Sequence, residues 1–269
     1  MNQILNELVV YAPCNSKRRF GSVPTEPYWV GDGGYVVVDG YTYDQYLGCG
    51  VGTNPSFDFQ FLETQPNING LVFDGNISYC PRFPNGVNYV KKNITSANTS
   101  ETTNLNSETE NFKNIFMKMD IDGYEWNWIK SFNNFRKIKQ FVLEVHGLFP
   151  EQREGAWDWA ADSGFDYVDV CLGLKKINQT HHLVHFHSND CAWYTKIDGT
   201  EMPTVAELTF IRKEDCDIDG FNKIPFPIDG LDFRNSGIDP HTHITEATYE
   251  RQVLCFSDYP FCSANKDSQ

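Results

Sequence analysis

The chain has 269 residues with 36 acidic against 22 basic side chains, a formal charge of −14; a surface this acidic repels phosphate backbones. No basic stripe interleaved with aromatics offsets it, so nucleic acid is excluded as the expected substrate. Hydrophobic residues make up 40% of the chain, with 20 Phe, 13 Tyr and 6 Trp, enough for a sizeable core, which excludes disorder of the whole chain.

No stretch approaches the roughly 20 apolar residues of a membrane span. The opening MNQILNELVVYAPC lacks the basic start and long apolar middle of a signal peptide. Eight scattered cysteines form no CxxC pair, so free thiols and a cytoplasmic location are expected. The Asn-x-Ser/Thr triplets at Asn76, Asn93, Asn98 and Asn178 are read as chance in an Asn-rich chain.

In chain order, residues 43–51 read as an apolar strand ending in glycines and 56–64 as a helix with Phe57, Phe61 and Leu62 inward. Residues 71–74 and 87–92 are the second and third strands. Residues 93–110 are polar and nearly free of large apolar groups, which predicts a mobile surface loop. A fourth strand over 114–121 leads into a helix over 123–135 with Trp126, Ile129 and Phe132 at helical spacing. The fifth strand is 137–146. Residues 157–178 read as helix broken near Gly164, with Val168, Cys171, Leu172 and Ile177 inward. Strands at 182–189 and 205–212 follow, joined by a loop and expected to pair antiparallel. Within the first of these, alternation puts His185 and His187 on one face opposite Val184 and Phe186, while His181 and His182 are expected in a solvated turn.

Strand–helix alternation predicts an α/β fold: a mostly parallel seven-stranded sheet with helices on both faces and a final antiparallel strand. One domain spans 1–269, divided into an N-terminal cover (1–42), a core (43–213) and a wrapping C-terminal extension (214–269).

Gly48-Cys49-Gly50-Val51-Gly52 follows the first core strand and precedes a helix, where open parallel sheets bind ligands. The spacing is GxGxG; a dinucleotide fingerprint needs Gly where Thr53 stands, which argues against a nicotinamide-dependent oxidoreductase. Asp74 closes the second strand, where nucleoside-binding sheets place an acid for the ribose hydroxyls; a plain strand-end Asp is the competing reading.

The segments Asp32-Gly33-Gly34-Tyr35-Val36, Gly48–Asn54 with Ser56-Phe57-Asp58, and Lys118-Met119-Asp120-Ile121-Asp122-Gly123-Tyr124-Glu125-Trp126 resemble FkbM-like methyltransferases. So do Val142–His146, His185–Asp190, Pro203 and Glu207–Phe210, so that the resemblance spans about residues 18–213. It is nearest to the methyltransferase-like domains in glycan-synthesis proteins of large DNA viruses, which places the protein in the host cytoplasm if it is viral. It implies a Rossmann-like class I methyltransferase fold, S-adenosylmethionine as cofactor, a sugar or glycan acceptor, and association with glycosyltransferases. Carried over by position, Gly48, Gly50 and Gly52 line the donor and Asp74 holds its ribose. Where many methyltransferases have an acid before the glycine loop this chain has Tyr46, so Asp32 or Asp120 is the substitute partner for the donor's amino group.

A sugar hydroxyl is a poor acid, so methyl transfer to it is helped by a base, a divalent metal, or both. Asp120 and Asp122 end the fourth strand, and Glu144 and His146 share a face at the end of the fifth. Asp120 or His146 is the expected base, with Asp120, Glu144 and His146 the candidate ligands for Mg²⁺ or Mn²⁺. His187, beside Asn189, is a further catalytic candidate facing the acceptor; capping and structural roles compete for all of them. His241 and His243 are expected at the surface, and Trp126, Trp128, Trp157 and Trp159 in the core rather than stacked on sugars. A non-catalytic donor-binding or scaffold module of glycan assembly is the rival function. On this reading a Gly50→Val side chain enters the nucleoside cleft and abolishes donor binding with limited loss of fold.

Overall fold

The computed structural model describes residues 2–23, 33–79, 81–149, 163–189, 194–197, 200–224, 226–233 and 235. Helix α1 (Asn2–Glu7) and strands β1 (Tyr11–Pro13), β2 (Lys17–Phe20) and β3 (Tyr35–Val38) precede the central sheet. There follow β4 (Gln45–Cys49), α2 (Ser56–Glu63), β5 (Gly70–Phe73), β6 (Val87–Val90), the short β7 (Asn93–Ile94) and β8 (Thr102–Thr103), and α3 (Asn106–Thr109). Then come β9 (Ile115–Met119), α4 (Glu125–Ser131), β10 (Ile138–His146), α5 (Tyr167–Asn178), β11 (His181–Ser188), β12 (Tyr194–Ile197), β13 (Thr200–Pro203), β14 (Val205–Arg212) and β15 (Ile218–Phe221). Among the described residues no helix is long and apolar enough to cross a membrane.

Seven strands form the main sheet in the order β11-β14-β10-β9-β4-β5-β6. Neighbours from β6 to β10 run parallel, while β14 is antiparallel to both β10 and β11. The expected mixed, mostly parallel sheet is therefore present, although the antiparallel hairpin of β12 and β13 separates β11 from β14 where a plain loop is predicted.

Alternation along the strands sorts side chains between two cores. Leu47, Cys49, Met117, Met119, Leu143 and Val145 face α1, α4 and α5. Tyr46, Val72, Phe116 and Val142 face the opposite way, against Phe57, Phe61 and Leu62 of α2 and Tyr35 of β3. There the Phe61 ring lies 3.9 Å from Phe116, centroid to centroid. Polar residues at the carboxyl ends of β9 and β10 belong to this second face.

Four expectations are corrected. Residues 93–110 are folded rather than a free loop: Ile94 and Leu105 insert into the first core, and Trp128 Nε1 donates to Asn104 O at 3.1 Å. In α5 the inward stripe is Val170, Cys171, Leu174 and Ile177; Val168 and Leu172, expected inside, are 57% and 56% exposed. Their i, i+4 spacing puts them together on the solvent side of the helix. In β11 the register shifts between Leu183 and His185, and this bulge turns Val184 toward Val38 and Ile211, the face His185 shares, rather than opposite it. His181 is not solvated: it is buried, with Nε2 2.9 Å from Ile138 O and Nδ1 2.8 Å from Thr180 Oγ1.

β15 pairs with β1, Phe226 enters the first core, and Asp232 reaches His185 at 2.6 Å. Trp157, Trp159, His241 and His243 lie outside the described residues.

Burial pushes the His181 imidazole down to about 4. The unfolded chain takes up that proton near the ordinary value of 6.5, so stability is fullest above pH 6.5 and declines as pH falls toward 4. The contribution is on the order of 3 kcal/mol. Urea unfolding at pH 7 and pH 4.5 should show a smaller pH-dependent loss in His181→Gln than in the unsubstituted protein.

Candidate functional site

The glycine segment after β4 is first a packing device. A Cβ at Gly48 would lie 2.6 Å from Asp58 Oδ1, the carboxylate that accepts the Tyr46 hydroxyl at 2.6 Å. Gly50 has φ +73°, and a Cβ there would overlap the backbone carbonyl of Asp120. Its N–H donates to Phe73 O at 2.9 Å, which ties the turn to β5. Gly52 differs: φ is +54°, it is exposed, and a Cβ would meet nothing within 4 Å. Of the three glycines expected to line a donor, only Gly52 faces open space.

Asp74 lies beside this open position. Its Oδ2 accepts the Gly52 N–H at 2.9 Å, and Oδ1 accepts from Asn76 and Ile77 at 2.8 and 3.1 Å. A carboxylate offers about four acceptor positions, so room for a further donor remains.

Across the turn, titratable side chains share the second face of the sheet. Lys118 is buried, 3.2 Å from Asp120 Oδ2, and donates to Gly50 O. Tyr35 Oη from β3 lies 3.0 Å from Asp120 Oδ2 and 3.2 Å from Glu144 Oε2. Asn189 donates to Glu144 Oε1 at 3.1 Å, and His146 Nε2 is 3.6 Å from the same oxygen. The other ring nitrogen, Nδ1, is 3.2 Å from Glu125 Oε1. Glu125 is fully buried on α4, and Oε1 also accepts the N–H groups of Ile121 and Gly123 at 3.0 and 3.2 Å. It thus holds both the His146 ring and the turn in which Asp122 adopts φ 53°.

Charge is fixed tightly here. Burial penalises ionised Asp120, but Lys118 and His146 outweigh it and keep its carboxyl below the ordinary value. Burial also opposes the His146 cation, yet Glu125 and Glu144 push the ring up to about 10, so it is an imidazolium at neutral pH. Asp122 goes the other way: partial burial, then the neighbouring Asp120 charge, raise it. Asp120, Asp122 and His146 each present one ligand atom within 4.8 Å of the others.

His187 does not join them. It is paired with Glu207 Oε2 at 3.0 Å, and Asn235 donates to the other Glu207 oxygen. The sheet order puts two strands between β11 and β9; at about 4.8 Å per strand, His187 and Asp120 stand some 14 Å apart. The expected catalytic set therefore splits into two groups. Asp32 lies outside the described residues. Sequence reasoning passed over Lys118, Glu125, Asp58, Tyr35 and Glu207. Lys118 left a signal, since it sits on the Phe116 face of a strand otherwise apolar on both sides.

No protein-family profile matches the chain, and no curated protein matches it. Among solved structures it is similar to a candidate hemolysin from Streptococcus thermophilus, 11% identical with TM-score 0.35, over 68% of this chain and 72% of that one. It is also similar to EvdMO1, 13% identical with TM-score 0.31, over 64% of this chain and 37% of that one. The likeness thus spans little more than a third of EvdMO1's length. Neither likeness is close enough to bear on function.

The expectation that Gly50→Val spares the fold is corrected, because the new side chain would meet Asp120 backbone rather than a cleft. Even Gly50→Ala should cost more than about 2 kcal/mol, from the clash and the left-handed φ together. Tyr46→Phe strips Asp58 of its hydroxyl partner and should cost about 1–3 kcal/mol. Thermal unfolding measures both.

Proposed function

We propose that the chain is an S-adenosylmethionine-dependent O-methyltransferase with the Rossmann-like class I fold, acting on a hydroxyl of a sugar, glycan or nucleotide sugar. One observation carries the reading. Order reverses between β4 and β9, and in that crevice the open Gly52 turn is hydrogen-bonded to Asp74 at the end of the next strand. Numbered in chain order, the seven strands run 3-2-1-4-5-7-6 with the seventh reversed. This agrees with the fold that the resemblance to FkbM-like methyltransferases implies, and its first five strands follow the doubly wound order.

The residues present fit such a donor. Gly52 leaves space for a nucleoside, Asp74 keeps acceptor capacity for a ribose hydroxyl, and Asp120 offers a carboxylate to the amino group. A side chain at Gly48 or Gly50 would meet Asp58 or the Asp120 backbone rather than this space. When bound, the donor supplies a methyl group on a positively charged sulfur. The chain's own part is to hold the acceptor hydroxyl against Asp120 and Asp122 and to take its proton. His146 already carries a proton at neutral pH, so the acceptor of that proton is a carboxylate and the imidazolium is a hydrogen-bond donor. The engagement of His146 and Lys118-paired Asp120 also favours a second reading, a donor-binding module without turnover.

Calorimetry with S-adenosylmethionine should show binding, and labelled donor should methylate a sugar or glycan. Gly52→Ala should weaken donor binding at least tenfold while lowering Tm by only a few degrees, because its methyl enters open space. No binding to the unsubstituted protein overturns the proposal; binding without transfer to any sugar selects the module.

A further inference from the structure

The geometry points to a divalent-cation site formed by Asp120, Asp122 and His146, with Glu125 as the positioning residue that aims it. This rests on the methyltransferase reading only for the ion's purpose, which is to present open coordination positions to acceptor oxygens. The three ligand atoms come from the end of β9, the turn after it and the end of β10, and lie within 4.8 Å of one another. A mixed carboxylate and imidazole set of this kind suits Mn²⁺ and similar ions.

Two further observations point the same way. His146 turns Nδ1 to a fully buried carboxylate, Glu125, at 3.2 Å, while Nε2 faces Glu144 Oε1 at 3.6 Å. Metal-binding imidazoles are oriented in this manner, by a carboxylate on the second ring nitrogen. The same Glu125 oxygen accepts the Ile121 and Gly123 N–H groups, so one side chain fixes the ring and the backbone on either side of Asp122. Charge is the second. Asp120, Asp122, Glu125 and Glu144 gather here, and Lys118 is the one lysine or arginine paired with any of them among the described ion pairs. Glu144, the ligand expected from sequence, is instead taken up by Tyr35 and Asn189; exposed Asp122 replaces it and opens the site to solvent.

The test uses the full chain freed of metal by chelator, titrated with Mn²⁺ and followed by the paramagnetic resonance of the free ion. One Mn²⁺ should bind per chain. Asp122→Asn should weaken it at least about tenfold with Tm unchanged, since Asn also tolerates the left-handed backbone. Asp74→Asn, on the donor side, should leave Mn²⁺ binding as it was. The site is refuted if Mn²⁺, Mg²⁺, Zn²⁺ and Ca²⁺ all fail to bind at millimolar concentration, or if Asp122→Asn binds Mn²⁺ as tightly as the unsubstituted chain. Donor calorimetry run separately keeps the two readings apart: donor binding without metal binding sinks this site alone, and metal binding without donor binding sinks the methyltransferase.

Discussion

Lys118 carries an ammonium into the interior of the sheet, and an unpaired charge there would cost several kcal/mol. Its neutralisation organises three separate segments. The turn after β4 supplies the Gly50 carbonyl, the end of β9 supplies Asp120, and α2 brings Asp58, whose charge favours the ammonium and whose carboxylate is held by Tyr46. For the turn to reach Lys118 it must pass against the Asp120 backbone, which leaves no room for a side chain at position 50. The glycine pattern therefore answers first to a buried cation and only at Gly52 to an open cleft.

Glu125 plays the matching part on the other side of β9. It binds two turn N–H groups and the His146 ring, so α4 is docked by a carboxylate as well as by Trp126 and Ile129. Between these anchors Glu144 and Glu207 sit directly opposite one another on β10 and β14, a pairing that destabilises a sheet when left alone. Each is relieved separately, Glu144 by Tyr35, Asn189 and His146 and Glu207 by His187 and Asn235.

The strands and the helices α2 and α4 were legible because their apolar residues recur at periods of 2 and 3.6. The errors have separate physical causes. Residues 93–110 look like a loop by composition, yet Asn, Thr and Ser side chains there bond to the local backbone, as Thr103 Oγ1 does to Leu105 N and Asn98 to Asn104 N, while Ile94 and Leu105 anchor the segment. In β11 one bulge undid the alternation, and nothing in Leu183-Val184-His185 announces a bulge. Asp58 and Glu125 were given no role from sequence, although they are buried beside Phe57 and Trp126. Candidate site residues were found where strand ends could be placed, and what held them in position was not.

The carboxylates around β9 and β10 exceed their fixed cations, so a positively charged ligand would be favoured on this face. Two cations compete for that description, a sulfonium donor and a metal ion, and the sheet separates them. Gly52 and Asp74 lie on the β4 and β5 side of the crevice, whereas Asp122 and His146 lie beyond β9, toward β10. Asp120 stands between, at the end of β9, tied to the glycine turn through Lys118 and to Glu144 through Tyr35. A nucleoside bound on one side and an oxygen ligand held on the other would meet over that carboxylate, which is where an in-line transfer needs its two reactants to converge.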